Sequence, residues 1–503
     1  MRATKISGLA PLFVLFIAGA VSSFEDIEKL RIWPLPAEVS HGGRRMYLSE
    51  DFKLVTEGSK YEDPSGILKE GFDRMLAVVR LSHVVSGHRN SSSSGGSALL
   101  EGLHVIISSS TDELEYGADE SYKLVVASRE KPYAQLEAKS VYGALHGLQT
   151  FSQLCHFNMK KKVIEILMTP WNITDQPRFS YRGLLIDTSR HYLPLPVMKN
   201  VIDSMTYTKL NVLHWHIVDT QSFPLEIPSY PKLWNGAYSP TQRYTFEDAA
   251  EIVNYAGRRG IHVLAEIDVP GHALSWGKGY PSLWPSKNCQ EPLDVSSDFT
   301  FKISARSLSL NLSTWEVTKL KKHRKTEAEA YEYFVLRAQK IASSHGYEII
   351  NWEETFNNFG NKLNPKTAWY WSCWESDCGR CIMSNQDKWY LDHIDTPWQM
   401  FYANEPFEMI KDEKRQSLVL GGEVCMWGEH IDASDIQQTI WPRAAAAAER
   451  LWTPYTKLAE NPDKVTTRLA HFRCLLNERG VAAAPLVGGG RVAPFEPGSC
   501  LAQ

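Results

Sequence analysis

The stretch "YRGLLIDTSRHYLPLPVMKNVIDSMTYTKLNVLHWHIVD", Tyr181 to Asp219, decides the fold. "YRGLLID" is a short apolar run ending in a carboxylate, which reads as a strand covered on both faces. "PVMKNVIDSMTYTKL" spaces its apolar residues as an amphipathic helix, and "NVLHWHIVD" is a second buried strand that again ends in Asp. Strand, helix, strand in this order predicts a parallel pair with a helical crossover. The unit recurs: helix "TFEDAAEIVNYAGRRG", strand "IHVLAEID", helix "EAEAYEYFVLRAQKIASSHG", strand "YEIINWEE", then strands in "CIMSN" and "LVLGGEVCMWGE". So many units predict a (β/α)8 barrel over residues 178–455. In such barrels the C-terminal strand ends form the site, and Asp187, Asp219, Asp268, Glu353 and Glu429 all fall at such ends.

Outside the barrel, residues 24–177 read as a small α/β domain. Strands lie in "GLHVIISS" and "SYKLVVAS", a helix in "AKSVYGALHGLQTFSQL", and a surface loop in "HRNSSSSGGSA". Residues 456–503 read as a tail packed on the barrel. At the start, Arg2 and Lys5 precede "LAPLFVLFIAGAV" and the small residues "AVSS", which describes a secretory signal over residues 1–23. The expected destination is the secretory pathway, ending in a vacuole- or lysosome-like compartment or outside the cell. After signal removal no membrane partner is expected. A net charge of −4, without a long basic run, argues against nucleic acid as a partner. In an oxidising compartment the eight cysteines become disulfide candidates. Asn90, Asn172 and Asn311 head glycosylation acceptor triplets.

Several short motifs carry chemistry. His214 and His216 in "HWHIVD" alternate onto one strand face, a spacing compatible with a metal in barrel amidohydrolases. That reading needs further ligands, and only Asp268 and His272 of "DVPGH" are offered, so hydrogen bonding is the preferred role and no metal is expected. Trp427 and Glu429 of "CMWGE" share a face, as an aromatic wall beside a carboxylate would. Tyr390 and Asp392 do the same in "WYLDH". Together at strand ends, these motifs describe a polyol-binding cleft.

The motifs "YRGLLIDTSRHYLP", "HWHIVDTQSFPLEIPSYP", "DVPGHALSW", "GGEVCMWGEHID" and "WPRAAAAAERLW" resemble glycoside hydrolase family 20, the β-N-acetylhexosaminidases, most of all the plant members. The resemblance runs from about Ile32 to Gln503. It implies hydrolysis of terminal non-reducing N-acetylhexosamine from glycans, without cofactor, by an exception to the two-carboxylate scheme: the sugar's acetamido oxygen attacks its own anomeric carbon. An Asp orients the acetamido group and the adjacent Glu protonates the leaving oxygen. By the same resemblance Arg182 grips sugar hydroxyls, while Asp219, Asp268 and His272 support the floor and the acid. Trp352 and Trp427 line the pocket, Tyr390 reaches the acetamido oxygen, and Asp392 and Glu429 meet hydroxyls. Cys474 is expected to pair with Cys500. A homodimer is left open, as are a non-catalytic sugar binder and a metal-dependent amidohydrolase.

One motif of the family is missing. H-x-G-G-D-E, which holds the Asp-Glu pair, should end the fourth barrel strand between "DVSSDFTFK" and "KTEAEAYEYF", yet no "GGDE" occurs in the chain. In its place stands "SLSLNLSTWEVTKLKKH". One permitted back-translation of its "LSTWEVTK" is TTG TCC ACT TGG GAG GTG ACG AAG. Read from its third base it gives Val-His-Leu-Gly-Gly-Asp-Glu. A frame change over the fourth strand is therefore the expected cause, since it would account for both the missing motif and the unusual composition. It leaves Glu316 as a poor stand-in for the acid. A second patch, "TAWYWSCWESDCGRCI", replaces the sixth-strand segment, so strands four and six are expected to be altered or missing.

Overall fold

A computed structural model describes residues 30–85, 99–127, 132–308, 327–346, 348–364, 367–371, 379–408 and 410–487. The expected signal segment, Asn90, Asn311, Glu316 and Cys500 lie outside them. Among the described residues no helix is long and apolar enough to cross a membrane.

The N-terminal domain is a six-stranded mixed sheet, with strands β1 (Glu38–Val55), β2 (Leu99–Ile107), β3 (Tyr122–Val126), β4 (Tyr133–Ala138), β5 (Cys155–Asn158) and β6 (Val163–Asp175) in the order β1-β2-β4-β3-β6-β5, with β1 also pairing β6. Helices α1 (Ile67–Val85) and α2 (Val141–Leu154) pack against each other and close the domain core. Ser140 starts α2 by accepting the Gly143 amide on its hydroxyl, at 3.1 Å. Asn172 is exposed on β6.

The second sheet is wholly parallel. Its strands are β7 (Tyr181–Asp187), β8 (Val212–Val218), β9 (His262–Ile267), β10 (Ile350–Trp352), β11 (Ala368–Trp371), β12 (Arg380–Met383) and β13 (Val419–Met426), in the order β10-β11-β12-β13-β7-β8-β9. Helix α3 (Leu195–Tyr207) crosses from β7 to β8, and α4 (Phe246–Gly257), opened by the Thr245–Asp248 capping box, crosses from β8 to β9. Close approach of β13 to β7 needs glycine at 421: its φ is +148°, and a Cβ there would stand 1.8 Å from the Tyr181 carbonyl oxygen.

Counted from β7, the described residues supply seven barrel strands and none at the fourth position. Helices α5 (Leu274–Gly279), α6 (Asp298–Leu308) and α7 (Glu327–Ser344) follow β9 without adding a strand, and among the described residues nothing pairs β9 with β10. Burial records the opening. Every residue of β7 and β8 is buried, whereas β9 and β10 are only half-buried and Ala265 is exposed. The sixth position is altered in sequence and not missing: Ala368–Trp371 of the replaced segment form a strand, paired with β10 and β12. Its aromatic and apolar residues suit a strand even in an altered sequence.

An unpaired edge leaves amides open to solvent. In hydrogen exchange, β9 amides aimed away from β8 should therefore exchange at least about ten-fold faster than those of β8. Equal protection would show that another segment closes the seam.

The two domains are joined by buried charge. Arg182, at the N-terminal end of β7, gives Glu120 two hydrogen bonds at 2.6 and 2.9 Å and lies over the Trp452 ring. Burial alone would raise the Glu120 carboxyl, but Arg182 and His146 outweigh it and bring it to about 2. Beside them the fully buried Lys209 and Asp175 pair at 2.8 Å. Helix α8 (Glu353–Phe359) follows β10, and α9 (Arg443–Trp452) presents the buried Ala444–Ala448 run to β13 and β7. Helix α10 (Thr466–Glu478) is held through Arg468, which pairs with Glu449 and donates to the Ile32 carbonyl. Cys474 on α10 is disulfide-bonded.

Candidate active site

The site is built at the C-terminal strand ends. Asp187 closes β7 and organises the turn after it: Oδ1 accepts the amides of Ser189 and Arg190, at 2.9 and 3.1 Å, and Oδ2 accepts the Gly428 amide beyond β13. That turn folds Arg190 back over the barrel mouth. Its guanidinium reaches Asp187 at 2.8 Å, Asp219 at 2.7 Å and Glu429 at 3.6 Å, and stands 5.3 Å from the Trp427 ring centre.

Beneath it runs a line of alternating charges. His214 lies between Glu423, at 2.9 Å, and Glu266, at 3.1 Å. His216 lies between Glu266, at 2.5 Å, and Asp219, at 2.9 Å. Burial opposes charge on both rings, but Glu423 and Glu266 bring His214 up to about 9, and Glu266 with Asp219 raises His216 well above its ordinary value. Each ring thus bridges two carboxylates, an arrangement that favours the imidazolium form. Burial works against ionisation of Asp219, yet His216, His272 and Arg190 hold its carboxyl well below the usual range. Asp268, one residue past β9, is different: burial and the neighbouring Glu266 push it up to about 7.

His272 sits beyond the Pro270-Gly271 turn in the left-handed region, φ 52°, an unusual setting for a non-glycine residue. Its ring reaches Asp219 at 3.1 Å with the side chain 59% exposed, and that bond, acting against partial burial, raises it to about 9. The sign is direct: a folded value above the unfolded value of about 6.5 means the pair stabilises fully below pH ~6.5 and is lost as pH rises through 9. NMR titration should give His272 a midpoint near 9. A midpoint near 6.5 would contradict the pairing.

Three aromatic rings form the wall. Trp352 ends β10 and donates its indole N–H to Glu266 at 2.8 Å. Trp352 and Trp427 lie 5.7 Å apart between ring centres, and Tyr390 lies 6.1 Å from Trp427. Burial raises the Tyr390 hydroxyl far above its ordinary value and raises the Asp392 carboxyl too. Among the described residues, Asp392 Oδ1 and Arg190 Nε are buried without a hydrogen-bond partner. Such atoms call for an explanation, and a ligand rich in hydroxyls supplies one. Glu429, 43% exposed, stands at the entrance.

Of the residues named from sequence, Asp219, Asp268, His272, Trp352, Tyr390, Asp392, Trp427 and Glu429 all lie at this end of the barrel. Arg182 does not. It lies at the opposite end of β7, buried and engaged by Glu120 and by the Phe179 and Lys209 carbonyls, so it is a structural cation and not a sugar ligand. The arginine of the site is Arg190, which the reading overlooked. Its signal was present: it follows a strand-end Asp by three residues, whereas Arg182 opens its strand. Glu316 lies outside the described residues. His216, Glu266 and Asp268, and likewise Asp219, Asp268 and His272, bring ligand-type atoms within 4.8 Å of one another. The strand histidines on which the amidohydrolase reading rested each bridge two carboxylates here, His214 between Glu423 and Glu266 and His216 between Glu266 and Asp219.

The model for glycosyl hydrolase family 20, catalytic domain, matches in two pieces, residues 179–320 and 314–455, which meet within the replaced stretch. A model described as beta-acetyl hexosaminidase like matches residues 32–154. Beta-hexosaminidase 3 of Arabidopsis thaliana is 80% identical, with 99% of each chain covered. That alignment spans 529 positions against a chain of 503 residues, so it carries gaps opposite this chain. Beta-hexosaminidase 1 of the same organism is 47% identical over 94% of each chain. The solved chitobiase of Flavobacterium johnsoniae superposes with a TM-score of 0.73 at 25% identity, over 92% of this chain and 74% of that one. The (β/α) barrel with its acidic rim and aromatic wall, taken with these matches, places the chain in glycosyl hydrolase family 20.

Proposed function

We propose that this chain is a β-N-acetylhexosaminidase by descent and fold, built to release terminal N-acetylhexosamine from N-acetyl-β-D-hexosaminides, and that in its present form it holds the sugar with little turnover. One observation carries the reading: Trp352, Tyr390 and Trp427 converge with Arg190, Asp392 and Glu429 at the barrel mouth. Aromatic faces take the apolar side of a pyranose ring, and fixed charges take its hydroxyls. In the substrate-assisted route the acetamido oxygen closes on the anomeric carbon while an acid protonates the leaving oxygen. Arg190, Asp392 and Glu429 would orient the ring for that step. The Asp and Glu that complete it belong to the H-x-G-G-D-E motif, which the sequence lacks.

That absence favours a second reading, sugar binding without turnover, for the chain as written. Calorimetry with N-acetylglucosamine should give one site per chain, and Trp427→Ala should weaken it at least about ten-fold, since loss of a stacked aromatic is typically worth more than 1 kcal/mol. No binding to folded protein, or binding indifferent to Trp427→Ala, would overturn the proposal.

A further inference from the structure

A second cavity, of about 320 Å³, lies away from the barrel mouth where α1 and α2 of the N-terminal domain meet α3 of the barrel. That volume is at the lower end of small-molecule sites, which run roughly 300–1,000 Å³ and favour domain interfaces. Met75, Val78, Leu145 and Leu148 give it a mainly apolar lining, to which Arg74 and Arg259 add two cations. Arg259 is engaged: it bonds Asp203 at 2.5 Å and lies 3.4 Å over the Tyr255 ring. Arg74 is not closely paired. Its nearest carboxylate, Glu70, is 3.7 Å away and already held by Arg258 at 2.7 Å, and its other contact, to the Arg258 carbonyl, is 3.5 Å long. Burial and the like charge of Arg259 disfavour the Arg74 cation, and Asp203, an anion of the cavity lining held by Arg259, offsets them only in part. A partly buried guanidinium short of acceptors beside an apolar floor is complementary to an anion carried on a hydrocarbon body.

We infer that this interdomain cavity binds small amphiphilic carboxylates, with the head on Arg74 and the chain along α1 and α2. It uses no residue of the barrel mouth, so it stands apart from the sugar-binding proposal. Octanoate titrated into the full chain, and into a version with the fourth strand restored, should bind at one site per chain with equal affinity. Arg74→Met keeps the stem but removes the fork, and should weaken binding at least about ten-fold. Ala77→Trp, at an exposed position of the cavity lining, should abolish it. Absence of saturable binding in both chains would overturn the inference. So would unchanged affinity in Arg74→Met, or binding that survives Ala77→Trp.

Discussion

Restoring the fourth strand, with His-Leu-Gly-Gly-Asp-Glu at its end, is expected to raise kcat/KM on a chromogenic β-N-acetylglucosaminide by about 10⁴-fold or more. Two terms multiply. A positioned general acid is typically worth about 10² to 10⁴ in rate, and a fixed carboxylate facing the developing positive charge about as much as one preorganised donor, 10² to 10³. Restoration also closes the sheet between β9 and β10, whose outer edges have no partner strand among the described residues. The Trp352 ring and the Asp268 carboxyl, now on the strands bordering the seam, would regain a neighbour that fixes their distance. The protein with its strand restored should therefore be more stable as well as faster. Equal activity in the two forms would show that Glu316 or another group already serves as acid, and the frame argument would fail.

The second large effect is at the domain joint. Glu120→Ala should cost about 3–5 kcal/mol, because it leaves the fully buried Arg182 without its carboxylate. Chemical denaturation reads that loss directly. Replacing both partners, Glu120→Leu with Arg182→Met, should recover much of it, since an apolar pair of similar volume removes the uncompensated charge. In neither variant should the folded fraction change its affinity for N-acetylglucosamine by more than about two-fold, a difference well under 1 kcal/mol. A stable Glu120→Ala protein, or a folded double variant with ten-fold weaker sugar binding, would return Arg182 to the site.

That arginine marks where the sequence was legible and where it was not. The strand–helix–strand unit from Tyr181 to Asp219 sufficed for the barrel, because apolar runs ending in Asp have few other solutions. Strand ends also pointed to Asp219, Asp268 and Glu429, since side chains there face the mouth whatever the loops do. Arg182 and Arg190 could not be separated by residue type; only position along β7 separates them, and a strand's first residues face the end away from the site. The His214–Glu423 contact links residues 209 positions apart and leaves no local trace. At β11, pairing with β10 and β12 prevailed over an altered sequence. Most of the stretch that replaces the fourth strand lies outside the described residues, which add no strand between β9 and β10.

Sequencing the transcript across Phe301 to Thr326 tests the central claim most directly, that a family 20 hydrolase has lost its acid/base strand to a change of reading frame. The account predicts a transcript whose other frame encodes His-x-Gly-Gly-Asp-Glu over the codons for "LSTWEVTK". A transcript whose codons there permit no such motif in any frame would contradict it.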